Sequence, residues 1–514
     1  MLGKAIIYQV LPRLWNTSGK GALKVGGSLV ENGSGHFSSI DEKVLGYLRN
    51  TLHVSHVWYT GIIRHAGGEN AWVKGKAGSP YAIEDYFDVN PYLADNEDAR
   101  MDEFKLLIKR THAAGMKVVI DFIPNHLART CSAFFGKDDD VTVHWKPEND
   151  FYYYLGEQLR LPIESDYKEY PAKASGNAFT PAPSETDWYD TVRLNYCDYH
   201  TATWDKMLEV LLFWCGLGVD AFRCDMVELV PRQAISFLIS EVKKQYPDTQ
   251  FIAEVYDKSS YSYYAYEAGF DALYDKCGLY DTLFSIVRYN ADAAGYSGTD
   301  GITASWQFLG NLQPYMLNFL ENHDELRIAS DFFAGSAKNS FAALYVSLLL
   351  NTSPFMMYFG QEVGERGMDA EGFSGLNGRT TIFDWWCPKS IKDLDAYIHS
   401  GKGLDQEESA LLNRYSELLA YSQEEIIRLG ATYDLQYCNA GSEGYDSTRY
   451  FAFLRAYKGC IHLIVANFSA TDADITVHIP AEALDWANVP NPRDLTLNLH
   501  VPSRDGIILQ NLCG

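Results

Sequence analysis

Eight short apolar runs, separated by stretches of helical character, constrain the fold of this 514-residue chain most strongly. The runs are β-rich, and the segments between them carry apolar residues at helical spacing. They lie at residues 5–10, 54–60, 117–123, 219–224, 250–255, 270–275, 315–320 and 354–359. Strands alternating with helices predict an α/β fold, and eight such units favour a (β/α)8 TIM barrel. A doubly wound sheet is the rival, but no glycine-rich nucleotide motif stands where that fold would carry one.

Two segments depart from the alternation. Residues 127–190 are rich in Tyr and Pro and poor in helical patterns, and they are too many for an ordinary loop after the third strand. We expect an inserted subdomain there. From residue 431 to residue 514 the chain alternates apolar and polar residues between turn signals, which predicts a C-terminal antiparallel β-sandwich domain. The barrel is then assigned to residues 1–126 and 191–430.

Composition narrows the choice of partner and compartment. The formal net charge of −24 argues against nucleic acid or an anionic membrane surface and suits a neutral substrate. No apolar run is long enough to span a membrane. The nine cysteines are scattered without metal-binding spacing, which favours reduced thiols, and no signal peptide precedes the first strand. We therefore expect a cytoplasmic protein, while the sequence leaves the oligomeric state open.

The segment "GVDAFRCDMV" (residues 218–227) carries Arg223 and Asp225 two positions apart. On a strand, successive side chains point to opposite faces, so these two project together, and Phe222 and Cys224 face the other side. A guanidinium beside Asp225 favours its ionised form. An ionised carboxylate at a strand end indicates an active site, although a structural Arg–Asp pair is the alternative.

Polar residues also follow three other predicted strands, at the barrel end where such folds carry their chemistry. Glu254 ends the fifth strand, and three carboxylates that converge on one mouth disfavour one another's ionisation. One of them is then expected to hold a proton near neutral pH, as a general acid must. The polar residues at the third and seventh strand ends are Asp121, Asn125, His126, His323 and Asp324.

Four ordered segments, "DFIPNH", "GVDAFRCDMV", "FIAEV" and "FLENHD", resemble the signature regions of the α-amylase family of glycoside hydrolases. The segments "SPYAIEDYFDVNP" and "YFGQE" fit the same family, and the likeness extends over nearly the whole chain. The resemblance implies a retaining hydrolase that acts on α-1,4 bonds of starch-like glucans or maltooligosaccharides. It implies that Asp225 is the nucleophile, Glu254 the general acid and base, and Asp324 the third carboxylate, which binds sugar hydroxyls. The implied substrate-binding residues are Tyr81 as a stacking floor, His126, Arg223 and His323, whereas Asp121 is interpreted as a structural brace.

Two departures from the family pattern bear on cofactor and specificity. Calcium-dependent members carry Lys-His after the nucleophile motif and an aspartate at the end of the insertion. Here Glu228 and Leu229 stand where those members have Lys-His, and Arg193 stands where they have the aspartate. Only Asn125 remains as a candidate calcium ligand. No cofactor is therefore expected to be required, with calcium as the open alternative. Exo-acting α-glucosidases carry Asp after the stacking tyrosine, and the Ala at position 82 favours binding along a glucan chain.

Two other functions use the same residues. A glucanotransferase or a glucosyl-linkage isomerase would pass the covalent intermediate to a sugar hydroxyl in place of water. A catalytically inactive member would serve as a glycan-binding protein. Such chains normally lose an acid, whereas all three carboxylates stand in this sequence.

Overall fold

The structure, a computed structural model, describes residues 1–17, 22–67, 74–131, 134–289, 298–372 and 375–512. Cys513, one of the cysteines counted above, lies outside the described residues. The strands are β1 (Ile6–Val10), β2 (His56–Tyr59), β3 (Ile63–His65), β4 (Ile83–Val89), β5 (Lys117–Phe122), β6 (His126–Ala128), β7 (Tyr153–Tyr154), β8 (Ala172–Lys173), β9 (Thr191–Arg193), β10 (Ala221–Cys224), β11 (Gln250–Ala253), β12 (Ala272–Tyr274), β13 (Met316–Phe319), β14 (Phe355–Tyr358), β15 (Ala431–Asp434), β16 (Tyr450–Tyr457), β17 (Cys460–Asn467), β18 (Ala473–Ile479), β19 (Leu495–Val501) and β20 (Asp505–Leu509).

The α-helices are mostly amphipathic and lie between the strands. They are α1 (Leu29–Asn32), α2 (Glu42–Asn50), α3 (Arg100–Ala113), α4 (Ala202–Leu217), α5 (Arg232–Gln245), α6 (Asp281–Tyr289), α7 (Asp300–Leu309), α8 (Phe341–Leu349), α9 (Lys389–Ser400), α10 (Gln406–Ser422), α11 (Glu425–Arg428), α12 (Gln436–Asn439) and α13 (Ala481–Trp486). Among the helices that the structure describes, none combines the length and the hydropathy that a membrane crossing requires.

Eight parallel strands close into a barrel in chain order. They are β1, β2, β5, β10, β11, β12, β13 and β14, and β14 pairs with β1 to complete the ring. Each lies within one of the eight predicted runs, so the predicted TIM barrel is confirmed. Each observed strand is shorter than its predicted run, because terminal residues of the run already belong to the loops at the ends of the barrel.

Strand β10 shows how the sequence assigns its two faces. Helix α4 ends at Leu217 and is capped by Gly218, whose φ of 101° is unfavourable for any residue with a side chain, and the chain turns there into the strand. Ala221 joins the buried cluster inside the barrel, whereas Phe222 and Cys224 join the larger cluster between strands and helices. Arg223 therefore points inward and is fully buried, on the face opposite Phe222 and Cys224 as the alternation predicted.

The other two segments follow the expected architecture. Strands β6 and β9 pair antiparallel at the two ends of the inserted segment, and β7 pairs with β8 within it. In the C-terminal part, β15, β16, β17 and β20 form an antiparallel sheet, and β18 pairs with β19. Residues of both sheets share one buried core, which confirms the predicted antiparallel β domain. The residue boundaries assigned to the three units stay predictions.

Candidate active site

Arg223 lies at the centre of a cluster of carboxylates inside the carboxyl end of the barrel. Its Nη1 donates to Asp225 Oδ1 at 2.7 Å and lies 3.4 Å from Asp121 Oδ1. Its Nη2 lies 2.9 Å from Glu254 Oε1. The strand register places these groups together, because β10 pairs Arg223 with Asp121 on β5 and with Ile252 on β11. One buried cation thus holds three acidic side chains from three adjacent strands.

The surroundings of the two carboxyls that flank Arg223 shift the pKa of each. Burial raises the pKa of Asp225, and the adjacent guanidinium opposes that shift. Burial raises the pKa of Glu254 to about 7, and the charges of Asp225 and Asp324 contribute, whereas Arg223 works against them. Glu254 is therefore the carboxyl that keeps a proton close to neutral pH, which a general acid requires.

Asp324 differs from these two in being accessible. Its side chain is 37% exposed, so it faces the open mouth, and its Oδ2 lies 3.0 Å from His323 Nε2. Burial acts to raise its pKa, but His323 and Arg223 outweigh that effect and hold the pKa below its usual value. The Asn322 side chain fixes the turn by accepting the Asp324 backbone N–H at 2.8 Å. An ionised carboxylate at the mouth can accept hydrogen bonds from sugar hydroxyls.

Tyr81 and His323 form one side of the site. Their rings stack with centroids 5.3 Å apart and planes at 21°, and the Tyr81 hydroxyl is hydrogen-bonded to His323 Nε2. Gln9 contacts the other ring nitrogen of His323 at 2.8 Å. Asp121 lies behind them, where it accepts hydrogen bonds from Trp58 Nε1 at 3.0 Å and from the Tyr81 hydroxyl at 3.4 Å. The interpretation of Asp121 as a brace stays a prediction.

His126 and Asn125 lie where the inserted segment leaves the barrel. The His126 ring is 4.9 Å from the Trp188 ring, and burial lowers its pKa to about 3, so it acts as a neutral imidazole. Asn125 Nδ2 contacts His126 Nδ1 at 3.1 Å and donates to the Gly176 carbonyl at 2.9 Å. The structure thus joins His126 to the inserted segment, whereas Asp225 and Glu254 contact Arg223 and Asp324 contacts His323 at the mouth.

The surroundings of Asn125 do not fit a calcium ion. Arg193 donates from Nη1 to the Gly176 carbonyl at 3.3 Å and from Nη2 to the Leu229 carbonyl at 2.9 Å. A fixed guanidinium at this place repels a second cation and occupies the carbonyl oxygens that calcium would need. In the described parts of the chain, no three or more His, Cys, Asp or Glu side chains are grouped to hold a metal ion.

Several residues of the site were missed by sequence reasoning. Tyr256 donates its hydroxyl to Glu254 Oε1 at 2.8 Å, and Glu228 accepts the Tyr256 backbone N–H at 2.9 Å. Trp58 and Tyr274 were also missed, and together with the predicted Tyr81 they surround the guanidinium of Arg223, each with a ring centroid 5.5–5.6 Å from Cζ. Aromatic and polar residues at or just after a predicted strand end were the available signal, as in "VWYT" and "AEVY".

A closed parallel barrel with an arginine-bridged carboxylate cluster at its mouth defines an enzyme of the α-amylase type. The chain belongs to the α-amylase family: the family model described as alpha amylase, catalytic domain, matches residues 9–426.

Curated proteins of known name are similar to this chain at low identity. Alpha-amylase 3 of Dictyoglomus thermophilum is 24% identical over 66% of this chain and 65% of its own length. Trehalose-6-phosphate hydrolase of Bacillus subtilis is 26% identical over 45% of this chain and 36% of its own length. This chain thus spans less than two thirds of either relative.

A solved structure extends the likeness to the whole fold. The debranching enzyme of Nostoc punctiforme superimposes with a TM-score of 0.68 at 18% identity, covering 98% of each chain. These three proteins are named for different reactions, so membership of the family leaves the substrate to be argued from the site.

Proposed function

We propose that this chain is a retaining glycoside hydrolase that cleaves α-1,4-glucosidic bonds of starch-like glucans or maltooligosaccharides. The observation that carries the proposal is the single guanidinium of Arg223, which bridges Asp225 and Glu254. Retaining enzymes need their two carboxyls about 5–5.5 Å apart, whereas inverting enzymes leave room for a water between them. Two carboxyls held by one guanidinium favour the closer spacing.

In the first step an oxygen of ionised Asp225 attacks the anomeric carbon of the sugar. Glu254 gives its proton to the glycosidic oxygen while the bond between that oxygen and the anomeric carbon breaks. A covalent glycosyl–Asp225 ester remains, and the shortened glucan leaves as an alcohol. In the second step ionised Glu254 takes a proton from water, the water oxygen attacks the anomeric carbon, and Asp225 is released as a carboxylate.

The other site residues bind and orient the sugar in this proposal. Asp324 is ionised and accessible, which supports a role in accepting sugar hydroxyls. His323 and neutral His126 offer ring N–H groups, and Tyr81 offers an aromatic face. Arg223 keeps the buried Asp225 ionised, since an unpaired carboxylate at this depth would take up a proton.

Two features support a polymeric, uncharged substrate. Ala82 is completely buried in a small apolar cluster with Ala66 and Ala128, so this position offers no charged group to hold the terminal sugar of a chain. The net charge of −24 disfavours anionic substrates. We therefore propose that the cleft binds along a glucan chain.

We also propose that catalysis and folding require no calcium, since Arg193 supplies a fixed positive charge where Asn125 would be expected to bind the ion. For the compartment, we propose the reducing cytoplasm. All eight cysteines in the described part of the chain carry free thiols, which supports that assignment.

Incubation of maltoheptaose with the purified protein and with Asp225→Asn tests the proposed reaction. We expect shorter maltooligosaccharides, released first as the α-anomer, from the wild type and none from the variant. Products longer than maltoheptaose, enriched by excess acceptor sugar, would reassign the protein as a glucanotransferase. Binding of maltoheptaose without turnover by either protein would reassign it as a glycan-binding protein.

A further inference from the structure

Glu254 Oε1 lies against two donor groups. The Tyr256 hydroxyl donates to it at 2.8 Å, and Arg223 Nη2 lies 2.9 Å from the same oxygen. The hydroxyl fills one of the two lone-pair positions of this oxygen, and a cation in contact with it disfavours a proton at the other. Oε1 is therefore the unfavourable oxygen for a proton.

Glu254 Oε2 has a different environment. The backbone N–H of Met226 donates to it at 2.8 Å, and this is the one hydrogen bond that Oε2 accepts among the described residues. Met226 follows the proposed nucleophile directly and adopts a left-handed conformation, with φ of 44° and ψ of 45°. That conformation is unfavourable for a residue with a side chain, and it occurs at the residue whose N–H binds Glu254. One lone-pair position of Oε2 remains for a proton.

Glu228 fixes the segment that carries Tyr256. Its two carboxylate oxygens accept the backbone N–H groups of Tyr256 at 2.9 Å and of Asp257 at 3.0 Å. Glu228 lies in the short turn Val227–Leu229, which follows Met226. The loop after β10 thus holds Glu254 through Met226 and holds Tyr256 through Glu228.

We propose that Tyr256, supported by Glu228, is a positioning residue that blocks Glu254 Oε1 and so directs the transferable proton to Oε2. The inference rests on the proposed hydrolase function, because it concerns the proton that Glu254 donates. In the first step this proton moves from Oε2 to the glycosidic oxygen. In the second step Oε2 takes the proton of the attacking water, and the Tyr256 hydroxyl keeps its own proton throughout.

The same hydroxyl stabilises ionised Glu254, so removing it raises the tendency of Glu254 to stay protonated. The other titratable and charged groups around Glu254 act in both directions. Arg223 favours ionisation, whereas the negative charges of Asp225, Asp324 and Asp121 disfavour it. The Tyr274 hydroxyl, whose pKa burial raises, stays neutral and adds no charge. Since all of these remain in a Tyr256→Phe variant, a change in its pH profile reports the hydroxyl itself.

The test compares Tyr256→Phe with wild type on two substrates. Maltoheptaose needs protonation of its leaving oxygen, whereas 2-chloro-4-nitrophenyl maltotrioside has a leaving group that departs with little help from an acid. We expect kcat/KM on maltoheptaose to fall about tenfold, as for a misplaced catalytic group, and on the aryl glycoside by less than about threefold. The alkaline limb of the maltoheptaose profile should move up by roughly one pH unit.

Tyr263→Phe is the matched control, because its hydroxyl donates to the Arg232 carbonyl at 2.9 Å, away from Glu254. It should leave both substrates and the pH profile unchanged. Glu228→Gln, which keeps the shape but weakens the hold on Tyr256, should reproduce the selective loss on maltoheptaose in milder form. If Tyr256→Phe does not fold, Glu228→Gln tests the positioning role of Tyr256 instead. Equal losses of kcat/KM by Glu228→Gln on both substrates would then overturn that role.

The outcomes separate the two proposals. Equal losses of Tyr256→Phe on both substrates, or an unmoved alkaline limb, would overturn the positioning role and leave the hydrolase assignment intact. Absence of turnover of either substrate by wild type would overturn both. A selective loss on maltoheptaose together with the upward shift would support the assignment of Tyr256.

Discussion

Arg223 Nη1 lies 2.7 Å from Asp225 Oδ1, and both side chains are at least nine-tenths buried inside the barrel. Removing a carboxylate from water costs several kcal/mol unless a partner charge lies beside it. The arginine therefore allows Asp225 to stay ionised where water is excluded. As the proposed nucleophile, Asp225 is thus weakly solvated and held in one orientation.

Asp225→Asn should abolish turnover of maltoheptaose, since an amide cannot form the covalent ester. Asp121→Asn should reduce turnover only in part, because Asp121 contacts Trp58 and Tyr81 behind the site. Initial rates of both variants, with circular dichroism to confirm folding, check the contrast. Similar residual rates in the two variants would contradict the distinction between nucleophile and brace.

The pH dependence of kcat/KM should show an alkaline limb near the pKa of Glu254, which burial raises to about 7. Above that pH Glu254 loses the proton it donates, so the rate falls as pH rises. Glu254→Gln should lower kcat/KM on maltoheptaose by about 10²–10⁴-fold. On an aryl maltotrioside with a good leaving group, the same variant should lose much less of its kcat/KM, because the first step then needs little help from an acid. The alkaline limb should also be absent from the pH profile of the variant. A limb that persists would belong to another group.

The stability of the protein should depend on pH through the same side chain. The folded-state pKa of Glu254, about 7, lies above its ordinary value of 4.5, so its contribution to stability is full below pH 4.5 and is lost as pH rises through 7. Glu254→Gln removes this pH-dependent loss of stability, because an amide does not ionise. We expect the variant to exceed wild type in Tm by about a few degrees at pH 8 and by less at pH 5. Glu157→Gln, at a half-exposed site, is the control and should show no such trend.

Chelation should leave the protein intact. Excess EDTA should change neither the Tm nor the rate on maltoheptaose, because Arg193 already joins Gly176 of the inserted segment to Leu229 of the barrel. Arg193→Met should lower the Tm by about 2–5 °C through loss of these hydrogen bonds. Differential scanning calorimetry measures both effects.

Arg160→Met provides the comparison for Arg193→Met, since Arg160 pairs with Glu157 at the surface and its side chain is 61% exposed. It should leave the Tm nearly unchanged. A Tm that rises on addition of calcium to wild type and falls with EDTA would show that the arginine does not replace the ion.

Tyr81 should contribute more through its ring than through its hydroxyl. Tyr81→Ala removes the face that stacks on His323 and should reduce kcat/KM on maltoheptaose by about 10²-fold, because both the sugar platform and the histidine lose their position. Tyr81→Phe keeps the ring and should cost about tenfold or less. Steady-state kinetics of the two variants measure both effects. Equal losses of kcat/KM would assign the contribution of Tyr81 to its hydroxyl.

The sequence predicted the parts of the site that depend on local order along the chain. Alternation along residues 219–224 was enough to put Arg223 on the strand face opposite Phe222 and Cys224, and the position of Glu254 at the end of a predicted strand was enough to place it at the mouth of the barrel. Strand periodicity and the parallel closure of the barrel act residue by residue, so an inference from pattern reaches them.

Only the tertiary structure decided how these groups are held. Tyr256 reaches Glu254, Glu228 holds the backbone of Tyr256, and Arg193 reaches Leu229, in each case through loops whose course no periodicity describes. A hydrogen bond is made or lost within less than about 1 Å, and such precision comes from the packing of the whole barrel against its loops. The sequence by itself therefore determined the fold and the strand ends that carry the three carboxylates, while the packed structure decided which oxygen of Glu254 is left to carry a proton and which carbonyl groups Arg193 binds.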